Sequence, residues 1–506
     1  MIDDTHLVMA ERAWGGGRSV DQRRAEWPDR IRVCDRLHHT LKTNPQEAPV
    51  DTAAPPVTRR RLTAIDLFGG VGGLSLGFEQ AGFDVLAALE YDPVHAATHA
   101  FNFPLTKVLC RDARRVTGEE LLAGARQGWR RHRPTGPAWD GVVDAVIGGP
   151  SCQGFSVMGR KQRDDERNDL LLEFARLVVE IRPRTVCLEN VPGLLLPQFD
   201  DVRDRAFGLL RDAGYNLSPT DAILNAAHYG VPQNRKRVVV FGVLDGTAPS
   251  LPAPVGLQVT VGEALDGLPN PLSYPGLLDK DTAQLRHADL ARREKTESTY
   301  ARVLAGLDHD PQDRSRRRDW DPAVLTCSLV TVHSQESRER FAATLPGTEE
   351  SISRSFRLRS DGLARTLRAG TGSERGSFSS PRPLHPTQPR VITAREAARL
   401  HSYPDWFRFN GTNWHSHRQI GNSVPPLLAR ALGQALATAL NARPQRATAT
   451  VALGDEGLLY LPRAEAVTAL GGVAEELPPM RQRQEKRRPR KQPAGERLDG
   501  RLAQAS

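Results

Sequence analysis

Short apolar runs alternate with longer amphipathic ones through the first half of the chain. Residues 63–68, 85–89, 108–111, 145–147, 185–188 and 238–243 are short and apolar enough to be strands buried on both faces. Between them, residues 74–80, 169–181 and 202–214 carry helical spacing, and 119–131 reads as a helix or a basic surface insertion. In 169–181, Leu170, Leu171, Phe174, Leu177 and Val178 recur at helical spacing. Gly82 is expected to stop the first helix, and Arg182-Pro183-Arg184 to end the one before the fifth strand. Strand and helix in regular succession predict an α/β fold around a mainly parallel sheet. Farther on, Thr393 with Glu396 three residues later predicts a boxed helix start. Residues 419–426 read as a tight turn leading into a helix at 427–440.

The same pattern divides the chain. Residues 1–60 are polar with little periodicity, and Pro55-Pro56 reads as a linker, so this extension is expected to be poorly ordered. Residues 61–244 carry the alternating pattern. In 245–364 prolines and short strand-like pieces replace it, which predicts a separate, smaller mixed domain. Helical grammar returns in 365–445, and 446–506 reads as a basic, disordered tail, most clearly so from about 477. The net charge of +9 favours a polyanionic partner only weakly, because part of the excess lies in that tail. Arg314, Arg316, Arg317 and Arg318 near Trp320 suit DNA or a solvated loop equally well. Five scattered cysteines make no disulfide framework and point to a reducing compartment. With no run of 18 apolar residues and no leader pattern after Met1, a cytoplasmic protein is expected.

Candidate chemistry sits at the carboxyl tips of the strands, the edge where open α/β sheets bind ligands. Asp66-Leu67-Phe68-Gly69-Gly70-Val71-Gly72-Gly73 is strand, glycine turn and helix start. Glu90, about twenty residues later, ends the next strand and suits the two hydroxyls of a ribose, which together name an adenosine-type ligand. Asp112 follows the third strand and could accept from an adenine or cap the next helix. Past the fourth strand, Gly148-Gly149-Pro150 leads to Cys152 on a tight loop, where a buried structural thiol and a reachable nucleophile are about equally weighted from the residue alone. The charged stretch 159–168 could be a solvated loop or a mobile lid. Glu189 brings a second reactive side chain to the same edge. Arg235 and Arg237, two apart in a strand, would face the same way and suit a phosphate or oxyanion. His415 and His417 form only a lone His-x-His and read as surface or structural.

Taken together, these stretches resemble the DNA (cytosine-5)-methyltransferases over residues 62–440. The resemblance rests on 66–73 as the S-adenosylmethionine loop, Gly148-Gly149-Pro150-Ser151-Cys152-Gln153-Gly154-Phe155-Ser156 as the nucleophile loop, and Glu189-Asn190-Val191 as the acid motif. Gln233-Asn234-Arg235-Lys236-Arg237 is similar to the arginine motif, and 390–400 and 419–426 to the two closing motifs. Ser151 departs from the family, which usually has proline there. The resemblance implies a Rossmann-like methyltransferase domain with 245–364 as its target-recognition domain. It implies a cofactor site of Asp66, Phe68, Gly69, Gly70, Gly72, Glu90, Tyr91, Asp112 and Pro150, closed by Asn422, Ser423 and Val424. It also implies an attack by Cys152 on C6 of a cytosine flipped out of double-stranded DNA. Glu189, with a raised pKa, would then serve N3 and Arg237 the O2 edge, while Arg235 would hold a phosphate or the Cys152 loop. No metal is expected. The implied setting is a monomeric, nucleoid-associated modification enzyme with a restriction endonuclease as its genetic partner. A transfer-RNA methyltransferase and a non-catalytic DNA-binding relative are the rival readings.

Overall fold

The computed structural model describes residues 58–150, 169–370 and 381–473. Ser151, Cys152, the stretch 159–168, residues 1–57 and residues 474–506 lie outside the described residues.

The apolar runs become the central sheet. Its strands are β1 Leu62–Leu67, β2 Phe83–Glu90, β3 Lys107–Cys110, β4 Ala145–Gly148, β5 Thr185–Asn190, β6 Tyr215–Leu217, β7 Ile223–Asn225 and β9 Lys236–Leu244, with a two-residue β8 at Gln233–Asn234 outside the sheet. The order is β3-β2-β1-β4-β5-β9-β6, and β7 also pairs with β9. Strands β1 to β5 are parallel, whereas β9 runs antiparallel to β5, β6 and β7. From β1 the chain winds outward through β2 and β3, then returns to the other flank of β1 as β4. Strand order therefore reverses beside β1, which opens a crevice at the carboxyl tips of β1 and β4. Every residue of β1 is buried.

The helix Gly73–Ala81 is buried at all nine positions because it lies between the sheet and the helix Pro426–Ala439. Leu74 and Phe78 share one core with Leu428, Leu432 and Leu436. Gly82, at φ 102°, ends the helix as its sequence predicted. Gly118–His132 is a helix, opened by a Thr117–Glu120 capping box. Thr393 and Glu396 form the expected box, and Arg390 pairs with Glu396 at 2.6 Å behind it.

Five expectations are corrected. Order begins before residue 61: Thr58 N–H donates to Asn441 O, Arg443 N–H donates to Thr58 O, and Arg60 pairs with the buried Asp144 at 2.7 Å. Residues 413–422 form a helix where a turn was expected at 419–426, and only Ser423-Val424-Pro425 turns. Arg235 lies between β8 and β9, so it is not a strand neighbour of Arg237. Residues 446–473 are not a disordered tail: Thr450–Ala452 pairs parallel with Arg317–Asp319, and Arg463–Ala469 is a helix. The arginine cluster divides between two acids of the sheet domain, Arg316 meeting Asp84 at 2.6 Å and Arg318 meeting Glu79 at 2.7 Å. Both arginines are buried, so these two neither wave in solvent nor offer their charge to a polyanion.

The segment 245–364 has a small core of its own, Tyr274, Leu277, Leu285, Leu325 and Val330. It is also tied to the rest, for Arg399 reaches the carbonyls of Ala264 and Asp266. Among the described residues no helix is long and apolar enough to cross a membrane.

Candidate active site

The loop after β1 turns through left-handed backbone at Phe68, Gly70 and Gly72, with φ of 59°, 54° and 96°. Asp66, at the end of β1, is fully buried; its Oδ2 accepts from Ser75 Oγ at 2.6 Å. Its Oδ1 has no hydrogen-bond partner among the described residues. Burial pushes the Asp66 carboxyl up to about 7, and the Glu90 charge adds to that. Beneath the loop, burial pushes His99 down to about 4, and its Nδ1 lies 3.3 Å from Gly70 O.

Glu90 stands at the tip of β2 with each carboxylate oxygen tied to backbone. Oε2 accepts from Gly70 N at 2.8 Å and Oε1 from Asp92 N at 2.7 Å. Burial raises its pKa. Tyr91 beside it is partly buried. Asp112, past β3, accepts from Arg114 N and pairs with the Arg114 guanidinium at 2.7 Å, so it caps the turn Ala113–Arg115. Asp112 stands on the same edge as Glu90.

The closing turn packs directly on this loop. A Cβ placed on Gly73 would lie 2.3 Å from Val424 O, so only glycine admits the contact. Val424 is buried, Ser423 Oγ caps back onto Ile420 O at 2.9 Å, and Asn422 is exposed. The structure therefore gathers Asp66, Phe68, Gly69, Gly70, Gly72, Glu90 and Val424 into one cradle. A buried, unpartnered carboxyl oxygen and a glycine loop at a strand switch point fit an adenosine-bearing cation.

On the other side of β1, Pro150 ends the described part of β4's tip; its carbonyl accepts from Asn190 Nδ2 at 3.2 Å. Glu189, one residue earlier on β5, pairs with Arg237 Nε at 2.7 Å. Both side chains are about nine-tenths buried. A Cβ on Gly149 would lie 2.9 Å from Glu189 Oε2, which puts that oxygen against the root of the Cys152 loop. Because β9 is antiparallel to β5, its amino end lies at β5's carboxyl tip, and Arg237 arrives there.

Arg235 is buried between β8 and β9. Its guanidinium donates to Leu367 O, Gly421 O and Ser423 O at 3.1, 2.9 and 2.8 Å, and the residue is 1 % exposed. It ties the second closing motif, at Gly421 and Ser423, to Leu367. Two residues the sequence reading missed share this task. Gln233 Nε2 donates to Leu400 O, and its Oε1 accepts from Leu367 N. His401 bridges Gln233 Nε2 and Ser423 O at 2.9 and 3.0 Å. Burial, then the Arg235 charge, keeps His401 well below the ordinary histidine range. Gln233 begins the arginine motif, so its place in that motif was the available signal.

The described cysteines, Cys110, Cys187 and Cys327, are all buried. Burial pushes Cys187 far above the ordinary thiol range, which removes it as a nucleophile at neutral pH. His415 and His417 lie on the helix Asn413–Asn422, and burial pushes them down to about 4 and about 3.

Comparison with known proteins agrees with this geometry. The family described as C-5 cytosine-specific DNA methylase matches residues 62–438. The type II methyltransferase M.XorII of Xanthomonas oryzae pv. oryzae is 46% identical over 412 residues, covering 81% of this chain and 93% of its own length. The type II methyltransferase M1.HphI of Haemophilus parahaemolyticus is 32% identical, over 74% of this chain and 86% of its own. A crystal structure of a prophage-encoded E. coli protein, described as a DNA modification methyltransferase, superposes with a TM-score of 0.59. It is 34% identical and covers 75% of this chain and 99% of its own.

Proposed function

The chain belongs to the C-5 cytosine-specific DNA methylases, and we propose that within this family it modifies one short DNA sequence for a type II restriction–modification system, with Cys152 as nucleophile. It is a DNA (cytosine-5)-methyltransferase with a Rossmann-like fold. The observation that carries the catalytic assignment is the buried Glu189–Arg237 pair at the root of the loop that bears Cys152.

C5 of cytosine is a poor nucleophile. A Cys152 thiolate adding to C6 makes C5 enamine-like and pushes negative charge towards N3 and O2. Glu189 would meet N3 with a proton, and Arg237, already beside it, would face O2. S-adenosyl-L-methionine, when bound, supplies the methyl group. Loss of the C5 proton then returns electrons to the ring and expels the Cys152 thiolate. Glu90 would take the ribose hydroxyls and Asp112 the adenine edge, with Asp66, Phe68 and Pro150 around the rest of the ligand. Asn422, Ser423 and Val424 close that pocket, and Arg235 acts through them as a positioning residue.

The base must leave the duplex to be attacked at C6. The segment 245–364 serves as the target-recognition domain, with its own small core as scaffold. Val332, Leu345 and Ile352 are strongly exposed on it, as suits a surface that meets a partner. The protein acts as a monomer on double-stranded DNA in the cytoplasm, beside a cognate endonuclease. That its named relatives are type II enzymes weighs against a transfer-RNA substrate.

The test is bisulfite sequencing of DNA from a methylation-free host expressing the chain or its Cys152→Ala variant. Protection in one recurring context, lost in the variant while cofactor binding persists, supports the reading. Protection that survives Cys152→Ala excludes Cys152 as nucleophile, and modification without sequence preference excludes the restriction–modification role.

A further inference from the structure

The matched family region ends at residue 438, yet the chain beyond it folds back over the catalytic fold. Gly454 N–H donates to Phe101 O at 2.8 Å. The single turn Glu456–Leu459 follows, opened by Asp455, whose Oδ1 accepts from Gly457 N at 2.9 Å. Leu459 is buried, and its carbonyl accepts from Asn410 Nδ2 at 2.7 Å and from Gly411 N at 3.1 Å. The backbone beside Tyr460 is therefore fixed. A Cβ on Gly411 would lie 2.2 Å from Tyr460 Cε1, so the ring takes the space that any side chain at 411 would need.

From there the Tyr460 hydroxyl joins two other parts of the chain. It accepts from Arg408 Nη2 at 2.9 Å and donates to Asp281 Oδ1 at 2.7 Å. Arg408 belongs to the catalytic fold, for its backbone exchanges two hydrogen bonds with the side chain of Asn102, the last residue of the helix Pro93–Asn102. Its Nη1 meets Glu456 Oε1 at 2.5 Å, a second tie to the extension. Asp281 belongs to the segment 245–364. Its carbonyl accepts from Ser328 N at 2.9 Å, and Leu277 and Ala283 on either side of it pack in the small core there. Asp281 is 4 % exposed, and its Oδ2 has no hydrogen-bond partner among the described residues, with Arg408 Nη2 3.6 Å away. A buried carboxylate so sparsely served gains most from the donor it does have. Burial, then the bond to Asp281, pushes the Tyr460 phenol up, so it remains that donor.

We propose that Tyr460 is a positioning residue for DNA recognition: its hydroxyl pins Asp281, and with it the segment 245–364, against the catalytic fold. An element beyond the family region thus helps to set where the recognition surface stands relative to the cofactor cradle. The inference rests on the DNA reading above.

The test uses the full chain, unmethylated plasmid from the methylation-free host as DNA probe, and S-adenosyl-L-homocysteine as probe of the cofactor site. About half of Tyr460 is exposed, so Tyr460→Phe removes the hydroxyl and keeps the ring without opening a packed core. It is expected to raise the Michaelis constant for plasmid about tenfold, the scale of one lost bond to a charged group. Turnover number should change less than about threefold, and S-adenosyl-L-homocysteine affinity by calorimetry less than about twofold. Asp281→Ala should raise the plasmid constant likewise, and the double variant should be no worse than the worse single one, because both remove one contact. Asp281→Asn, whose amide oxygen still accepts, should stay within about threefold of the wild type. An unchanged plasmid constant in Tyr460→Phe overturns the proposal, and so do effects that multiply in the double variant. A parallel loss of plasmid affinity, S-adenosyl-L-homocysteine affinity and melting temperature also overturns it, since that marks Tyr460 as structural. A wild type that methylates no plasmid sinks the DNA reading itself, and this inference with it.

Discussion

Arg237 Nε lies 2.7 Å from Glu189 Oε1, across the one antiparallel junction that adjoins the parallel strands. The pair exists because β9 starts where β5 ends. Glu189→Gln keeps the shape and removes the ionisable group. It is expected to lower single-turnover methyl transfer by about 10²- to 10⁴-fold, with cofactor affinity held within about twofold. Arg237→Lys keeps the charge but loses the planar fork, and should lower the rate at least about tenfold. Quench-flow with labelled cofactor reads both.

Arg235 ties three backbone carbonyls, those of Leu367, Gly421 and Ser423. Truncation to alanine strands buried acceptors, at about 1–3 kcal/mol each when left unsatisfied. Arg235→Ala should therefore unfold at markedly lower urea, and Arg235→Lys should recover only part of the loss. Urea melts of the two variants separate this structural role from a phosphate contact, which would leave the melt unchanged.

Which parts of this were readable in the chain follows physical lines. Strands buried on both faces announce themselves as apolar runs, and glycine turns or capping boxes are local codes. So β1 to β5, the loop at 68–72 and the Thr393–Glu396 box were all legible. The positions of Glu189 and Arg237 were legible because both sit at strand ends. The partner of Arg316 was not, since Asp84 lies 232 positions away and only the tertiary approach joins them. The helix Asn413–Asn422 was missed because its buried face, Ile420 apart, is polar or glycine. Gln419 there is satisfied by Thr98 Oγ1, and no apolar periodicity betrays it. The fold of 446–473 was missed because its elements are only three to seven residues long, too short to show a period, although the stretch is apolar and unlike the basic residues beyond it.

Glu79 shows how the arginine cluster acts. Burial alone would raise its carboxyl, but Arg318, then Arg316 and Arg61, outweigh that and hold it at about 2. With a folded pKa below the unfolded one, this stabilisation is full above about pH 4.5 and is lost as pH falls towards 2. Arg318→Ala should cost about 3–5 kcal/mol at neutral pH, and its melt should depend less on pH across that window. The salt dependence of DNA binding should keep its slope in the variant, because a buried arginine releases no counterions. A slope reduced by about one would instead assign Arg318 to a phosphate.

Asp66 has the opposite sign. Its folded pKa of about 7 lies above the ordinary aspartate value of 3.8, so the folded chain holds a proton that the unfolded chain has released. Stability from this group falls as pH rises from about 4 to about 7, by about 4 kcal/mol in all. Asp66→Asn should flatten that part of the stability curve. Chemical melts at half-unit pH steps read the difference.

The pairing of Thr58 with Asn441 and Arg443 closes the catalytic fold into a ring. Residues 58 and 441–443 flank the family region 62–438 and are hydrogen-bonded neighbours, so a short peptide joining them would disturb little of the central sheet, at the cost of the packed extension 446–473. The same ring could then be opened elsewhere, for instance in the exposed stretch 253–257. A gene so rearranged would encode the closing helix ahead of the glycine turn and still bring Val424 onto Gly73. The order in which the motifs are translated is thus a historical choice of breakpoint, while their meeting in space belongs to the architecture.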